Sequence, residues 1–532
     1  MRKYQYIFIF IIFASGLPAQ DVVHQEEHNL TTVLHPWLQV NNAAGLGLTN
    51  IKSHGLTALG YFTEGGDYHR AQEGNLRNGL NFYSERYDKL GKNWNSWGSF
   101  NFLSDREKNR AWSDVFSTYN SNPFIFGSSI PGSYDRQLFD FHIKLSSKEK
   151  NKLSYGFGVD YLVGDLSRLR DPRTRIFLAD YAFLPGLVYR INSKHVLGIN
   201  LKAAYRKEKL PNITTVQDDP NLKYYTFFGM ENADANIGGF KGFQRQFVGN
   251  TYGGELQYSF KAAKAELLLT GGIHYEKQQI LENLKQSPGN YEAMHYKFLA
   301  TGNYITDNKL FQLTLSGNMK TGAADEFLQK LESINDTVTK VNSQQWITLY
   351  TYDNRYINSC YNTKLTLNIR DINAAQNDYS WLIGLETGIS GFTNQYHLPF
   401  SEFSVNRFNT ALAGHYRLIN RKNNRLILHA EIEYSTGFDN LLQLSEGATD
   451  VPTLGSSTFK QGIYDLATNI YIPDLDFFNA STLKSTLSTQ YSFPLNLKKT
   501  KIIGFAKLSY HLLNTNTSRN WSGGAISIGI IP

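Results

Sequence analysis

From about residue 54 onward, apolar and polar side chains alternate with a period of two. Leu197, Ile199, Leu201, Ala203 and Tyr205 oppose Gly198, Asn200, Lys202, Ala204 and Arg206. Leu267, Leu269, Gly271, Ile273 and Tyr275 oppose Glu266, Thr270, His274 and Glu276. The same pattern sets Trp381, Ile383, Leu385 and Ile389 against Gly384, Glu386 and Ser390. It also sets Leu428, Ala430, Ile432 and Tyr434 against His429, Glu431 and Glu433. Near the end, Ala506, Leu508, Tyr510 and Leu512 alternate with Lys507, Ser509 and His511, and a last strand closes through Ile526, Ile528 and Ile530. Successive side chains on a strand point to opposite faces, so each segment predicts a strand with one greasy and one polar face.

The connections choose between a soluble sandwich and a membrane barrel. Short charged or Asn-rich turns lie near Asp88–Lys92, Lys148–Lys152, Asn192–His195, Lys261–Lys264, Thr306–Lys309, Asp371–Asp378, Asn420–Asn424 and Asn496–Lys501. Longer polar stretches fall around 105–133, 207–243, 321–345 and 438–477. Short turns on one side and long loops on the other are the asymmetry of an outer-membrane barrel. Eight short turns, with an unpaired strand at each end, predict an all-β transmembrane antiparallel barrel of about 18 strands, within a range of 14–18. Asp325 to Glu332 reads as a short amphipathic helix inside one loop.

Composition agrees with this architecture. Aromatic residues make up 14% of 532, glycine is abundant, and no apolar run after residue 20 is long enough to span a bilayer as a helix. Arg2 and Lys3 followed by Ile7–Ala14 and Pro18-Ala19-Gln20 read as a cleaved export signal over residues 1–20, so the chain leaves the cytoplasm and, as a barrel, is expected in the bacterial outer membrane. Residues 21–53 do not alternate and read as a periplasmic lead-in or a segment tucked into the lumen. The barrel follows over 54–532. So short a lead-in is not expected to form an active-transport plug, and energised transport by this chain alone is not expected. The formal charge of +7, two units of it from Arg2 and Lys3, is spread over the chain without a basic block. It carries no nucleic-acid signal. One cysteine, Cys360, excludes a disulfide framework.

The candidate chemistry lies on the inward face: Lys202, Arg206, Glu266, His274, Glu276, Glu386, His429, Glu431, Glu433, Lys507 and His511. Rings of charge tune selectivity in pores, and acid–base pairs also brace a water-filled lumen. Both readings stay open. His429, Glu431 and Glu433 line up along one strand as a metal site would, but alternation alone produces the same row, and no metal or other cofactor is expected. No nucleophile elbow, phosphate loop or His-Glu-x-x-His pair occurs, so an enzyme is not expected. Tyr224-Tyr225 with Phe227-Phe228, and Trp94 with Trp97, read as loop aromatics, either ligand-binding or packing.

The leader ending Pro18-Ala19-Gln20, the Asn41-Asn42-Ala43-Ala44-Gly45-Leu46 segment and the strands filling the rest resemble the large outer-membrane β-barrel proteins of Bacteroidota. The Asn-Ala-Ala-Gly-Leu segment is also similar to the Asn-Pro-Ala-Gly box of long-chain fatty-acid transporter barrels, with Asn42 where that box has proline. The chain ends Ile530-Ile531-Pro532, without the terminal aromatic common in such barrels. The barrel reading predicts a porin-like pore or an accessory component for uptake or export of a small solute at the cell surface. A plugged barrel in a surface complex and a hydrophobic-compound transporter are the alternatives. Outer-membrane lipid, lipopolysaccharide and an outer-membrane protein are the implied partners.

Overall fold

A computed structural model describes residues 25–49, 53–216, 222–237, 242–335, 342–373, 378–421, 424–453, 456–497 and 500–531. The leader over 1–20 lies outside the described residues. In chain order the strands are β1 (His54–Gly66), β2 (Leu76–Leu90), β3 (Trp94–Arg110), β4 (Phe126–Gly127), β5 (Gly132–Ser147), β6 (Leu153–Arg168) and β7 (Arg175–Arg190). There follow β8 (His195–Leu210), β9 (Lys223–Phe227), β10 (Ala233–Ile237), β11 (Arg245–Lys261), β12 (Ala265–Glu282), β13 (Gly289–Ile305) and β14 (Lys309–Asn335). The last seven are β15 (Asn342–Asn373), β16 (Asp378–Tyr396), β17 (Ser401–Arg421), β18 (Asn424–Gln443), β19 (Thr482–Leu497), β20 (Thr500–Thr515) and β21 (Asn520–Ile531).

Eighteen of these form one antiparallel sheet, each strand pairing with its neighbour in sequence. The ring closes where β1 pairs with β21, Thr57 opposite Ile530 and Gly66 opposite Trp521. Closure removes the sheet edge, so every strand has partners on both sides. β4, β9 and β10 stand apart as a small three-stranded sheet.

The outward face settles what the barrel is built for. Leu197, Ile199, Leu201, Leu267, Leu269, Ile273, Leu313, Leu365, Leu385, Leu412, Ile432, Leu487, Leu508 and Ile528 all stand exposed. So long a row of bare aliphatic side chains is tolerable only against lipid. Exposed tyrosines flank the band on both sides. Tyr155, Tyr189, Tyr304, Tyr416 and Tyr491 lie toward the short turns, and Tyr61, Tyr181, Tyr296, Tyr434 and Tyr510 toward the loops. Amphipathic rings at these two levels mark the membrane interfaces.

Three expectations need correction. Asp325–Glu332 is not a helix: it is part of β14, with Glu326 opposite Tyr352 and Glu332 opposite Gln345. The spacing of Phe327, Leu328 and Leu331 suits a helix, but pairing with a long neighbouring strand overrides local spacing. Residues 321–335 and 342–345 accordingly belong to a paired ribbon. Its neighbours pair only as far as Gly289 opposite Glu326 and Tyr396 opposite Tyr356, so the hairpin stands clear of the wall beyond them. Trp94 and Trp97 lie on β3 rather than in a loop. Finally, only some loop-end connections are long. Those after β1, β6, β12, β16 and β20 are brief, and the chain is concentrated in 111–131, 211–244 and 444–481.

Candidate functional site: a bore closed at both ends

The segment 25–49 enters the bore at the short-turn rim and crosses it. Leu30, on the helix Gln25–Leu34, packs with Leu310, Ile372 and Tyr379 of β14–β16. Trp37 and Val40 pack with Val188, Val196 and Leu268 of β7, β8 and β12. Leu38 and Leu46 meet Tyr87 and Trp97 of β2 and β3. β2–β3 and β14–β16 face each other across an eighteen-strand ring, so the segment spans a diameter.

Polar contacts fix its path. Trp37 Nε1 donates to Ser259 Oγ at 3.0 Å, Lys144 Nζ to the Val40 carbonyl at 2.8 Å, and Asn303 Nδ2 to the Val33 carbonyl at 2.7 Å. Asn42 is the central anchor. Its Oδ1 accepts from Ala44 N at 3.0 Å, capping the short turn Ala43–Leu48. Its Nδ2 reaches Gln257 Oε1 at 2.9 Å and the carbonyls of Leu187 and Ile199, each at 3.1 Å. Those carbonyls lie beside a gap in the β7–β8 pairing at Leu184 and Pro185, where proline offers no N–H to the ladder.

Glycines on the wall make the seat. A Cβ at Gly156 would lie 2.6 Å from Ala44 N, one at Gly186 2.2 Å from Asn42 Oδ1, and one at Gly198 2.8 Å from the Trp37 ring. Only glycine permits this approach.

The loop end is closed by a cap with its own core. Trp112, Val115, Phe124 and Phe126 of 111–131, Tyr224, Tyr225 and Phe227 of the β9–β10 hairpin, and Leu466, Ile470 and Phe478 of 456–481 form one cluster. It rests on Tyr291, Tyr356, Tyr396, Phe403 and Val405 of the inner wall. The loop aromatics Tyr224, Tyr225 and Phe227 are thus packing residues. Two helices, Thr458–Leu466 and Ile472–Asn479, run through the loop between β18 and β19. Gly462 lets the first lie on Ala233, where a Cβ would meet the Ala233 carbonyl at 2.0 Å.

Three aspartates knit the cap. Asp114, fully buried, accepts from Tyr134 at 2.5 Å and from Tyr224 at 2.8 Å. Asp465 accepts from Tyr225 at 2.5 Å. Asp474, 1% exposed, takes both Arg70 Nε at 2.9 Å and Nη2 at 2.6 Å, and its other oxygen accepts Ala71 N at 2.9 Å. The Arg70 guanidinium lies 3.5 Å from the centre of the Tyr119 ring. Burial holds the phenols of Tyr119, Tyr224 and Tyr471 well above their ordinary range, so each keeps its proton.

Beneath the cap lies a chamber of about 280 Å³. Its walls include Tyr119, Tyr356, Phe392, Phe403, Tyr471 and Phe478, with Arg70, Arg407 and Asp474 as the charged groups. A second, polar cavity of about 680 Å³ shares Gln72, Thr118 and Tyr119 with it and opens along Glu64, Arg77, Glu107, Arg110 and Arg136.

The eleven sequence candidates do not converge on this chamber. Arg206 pairs with Asp180 at 3.2 Å and Glu208 at 3.4 Å and touches Ser117 of the cap. Glu276 is bonded by His295 at 2.7 Å and lies 3.2 Å from Lys320, whose Nζ donates to the Asn120 carbonyl. These two brace the cap from below. At the other end His274 stands 3.8 Å from Glu255, which accepts from Asn41, and Glu266 lies 3.5 Å from Lys261. Between them, Glu386 pairs with Lys364 at 2.6 Å. His429 lies 3.9 Å from Glu431, and Glu433 sits opposite Lys484 in register. Lys202, Lys507 and His511 occupy the same inward rows on β8 and β20. Among the described residues, no cluster of three or more His, Cys, Asp or Glu side chains has metal-holding geometry. Arg70, Arg407 and the aromatic walls were missed. The available signal was Phe403, Val405 and Arg407 on one face of β17, where an apolar row turns inward.

Fold and closures together define an outer-membrane β-barrel whose own chain obstructs its bore at each rim. The chain belongs to a family of unknown function, DUF6850, which matches residues 43–531. No curated protein matches the sequence. Solved structures similar in fold include the FrpB iron transporter from Neisseria meningitidis in its apoprotein form, at 10% identity and TM-score 0.38 over 92% of this chain and 82% of that one. The ferric yersiniabactin uptake receptor FyuA from Yersinia pestis matches at 7% and 0.38 over 90% and 80%. A Pseudomonas aeruginosa FadL homologue matches at 10% and 0.32 over 92% of each chain.

Proposed function

We propose that the protein is a conduit for a small solute across the outer membrane, closed at rest by plug and cap, with no catalytic role. The observation that carries this is the chamber under the cap. It adjoins a polar cavity along the wall, with which it shares Gln72, Thr118 and Tyr119, and we read the two as successive stations for a solute. Pores that only brace the membrane have no need for an aromatic chamber at that level. The leader at residues 1–20 would be removed on export, which the mass of the mature chain checks.

The test is conductance of the refolded protein in planar bilayers, with heat-modifiable mobility as the proof of folding. A closed conduit is silent in the resting state and gains stable steps when both closures are loosened. Steps absent even then would overturn the reading.

One observation favours a second role, docking of a surface partner. The β14–β15 ribbon beyond Glu326 and Tyr356 exposes Leu328, Leu349 and Tyr350. Deleting it would leave conductance unchanged while abolishing co-purification of such a partner.

A further inference from the structure

We infer that the chamber under the cap binds a small aromatic carboxylate, its anion on Arg407 and its ring among the phenylalanines. This rests on the conduit reading above and names the solute class.

Three charged groups line the chamber. Arg70 and Asp474 satisfy one another through two bonds, and the remaining Asp474 oxygen is taken by the Ala71 N–H. Arg407 has no such partner. Its Nε and Nη2 reach Ser435 Oγ at 3.1 and 3.0 Å, Nη1 reaches Tyr68 Oη at 3.1 Å, and Nη2 reaches the Ala480 carbonyl at 3.4 Å. All are neutral acceptors, and no carboxylate lies within ion-pair distance of it among the described residues. The chamber therefore carries one uncompensated positive charge beside apolar walls. A half-buried guanidinium without a counter-ion is costly, and a carboxylate accepting from the remaining Nη1 N–H would supply the missing negative charge.

The walls specify the rest of the solute. Phe392 stands edge-on to Phe403 at 5.3 Å and to Phe478 at 5.4 Å, and Phe403 meets Tyr471 at 5.9 Å. Such edge-to-face clusters accept a further ring. An apolar cavity of about 150 Å³ holds one benzene molecule. At about 280 Å³ this chamber has room for a ring and a short acidic chain, and not for a folded peptide or an oligosaccharide.

Cys360, the one cysteine of the chain, lines the chamber and supplies a reporter. The probes are 4-phenylbutyrate and its neutral amide. Binding to the detergent-solubilised full chain is followed by calorimetry and by protection of Cys360 from a maleimide. The variant D465N loosens the cap without altering a chamber-lining residue and is run in parallel. The expected result is binding of the acid at least tenfold tighter than the amide, with the difference collapsing in Arg407→Gln and partly restored in Arg407→Lys. Equal binding of acid and amide, both weakened by Phe403→Ala, would overturn the anion assignment and leave the conduit reading intact. No binding of either probe to the wild type or to D465N would overturn the solute class, while conductance tests the conduit separately.

Discussion

Single residues decide how the plug is held, and Gly198 is the clearest of them. Its missing side chain is the space the Trp37 ring occupies. Gly198→Val would force the indole from its seat, with a loss near that of a buried Trp→Ala change, about 3 kcal/mol. The strand itself tolerates valine, so the barrel stays folded and residues 25–49 become accessible to protease added on the short-turn side. Gly271→Val is the control, because a Cβ there meets nothing within 4 Å. His35 adds a pH dependence. Burial first, and Lys261 second, lower its pKa from 6.5, so the docked plug favours neutral imidazole. A released plug binds more protons below that value, and docking is therefore full above about 6.5 and weakens as the pH falls. Protection factors over residues 25–48, which remove the intrinsic slowing of exchange at lower pH, should fall between pH 7.5 and 5 in the wild type and much less in His35→Phe.

At the scale of elements, the cap depends on contacts between loops far apart in sequence. Arg70 lies in the turn after β1 and Asp474 at the start of a helix some four hundred positions later. Asp474→Ala leaves the guanidinium buried beside Tyr119 without its partner, a change worth about 3–5 kcal/mol when a buried pair is broken from one side. Exchange protection over 458–479 should be lost in that variant while the barrel strands keep theirs. Undisturbed exchange would mean that the aromatic cluster, not the ion pair, holds the helices. The same distance in sequence explains what could be read in advance. Strand alternation is local and enforced by lipid on one side, so β8, β12, β18 and β20 were legible residue by residue. Phe403 was not, because its partners Tyr471 and Phe478 lie in another loop, and nothing in the spacing of either segment announces the contact. The sequence candidates Arg206 and Glu276 are on the correct face, yet their role as props under the cap depends on Ser117 and Asn120, which only the fold brings near.

For the whole molecule, plug and cap act as two closures in series, and series closure has a consequence that neither has alone. The plug spans the ring from β2–β3 to β14–β16, and the cap rests on β13, β15, β16 and β17 at the opposite rim. An ion crossing the bore must pass both, so resistance is set by whichever remains shut. Removing residues 25–48 should leave the barrel silent. Replacing 457–479 with a short flexible linker should also leave it nearly silent, because the plug still blocks the far end. Only the double deletion should give steady steps of large conductance. Its folding is not in doubt on hydrogen-bond grounds, since all eighteen strands pair on both sides without help from either closure. If one single deletion conducts as well as the double, the other element is not a closure, and the solute path must bypass it. A resting barrel shut twice also admits solute only if the closures open in turn. The charged candidates are divided accordingly, with Arg206 and Glu276 under the cap and the His274–Glu255 pair against the plug. Neutralising Glu276 should therefore ease opening in the plug-deleted barrel and change nothing in the cap-deleted one.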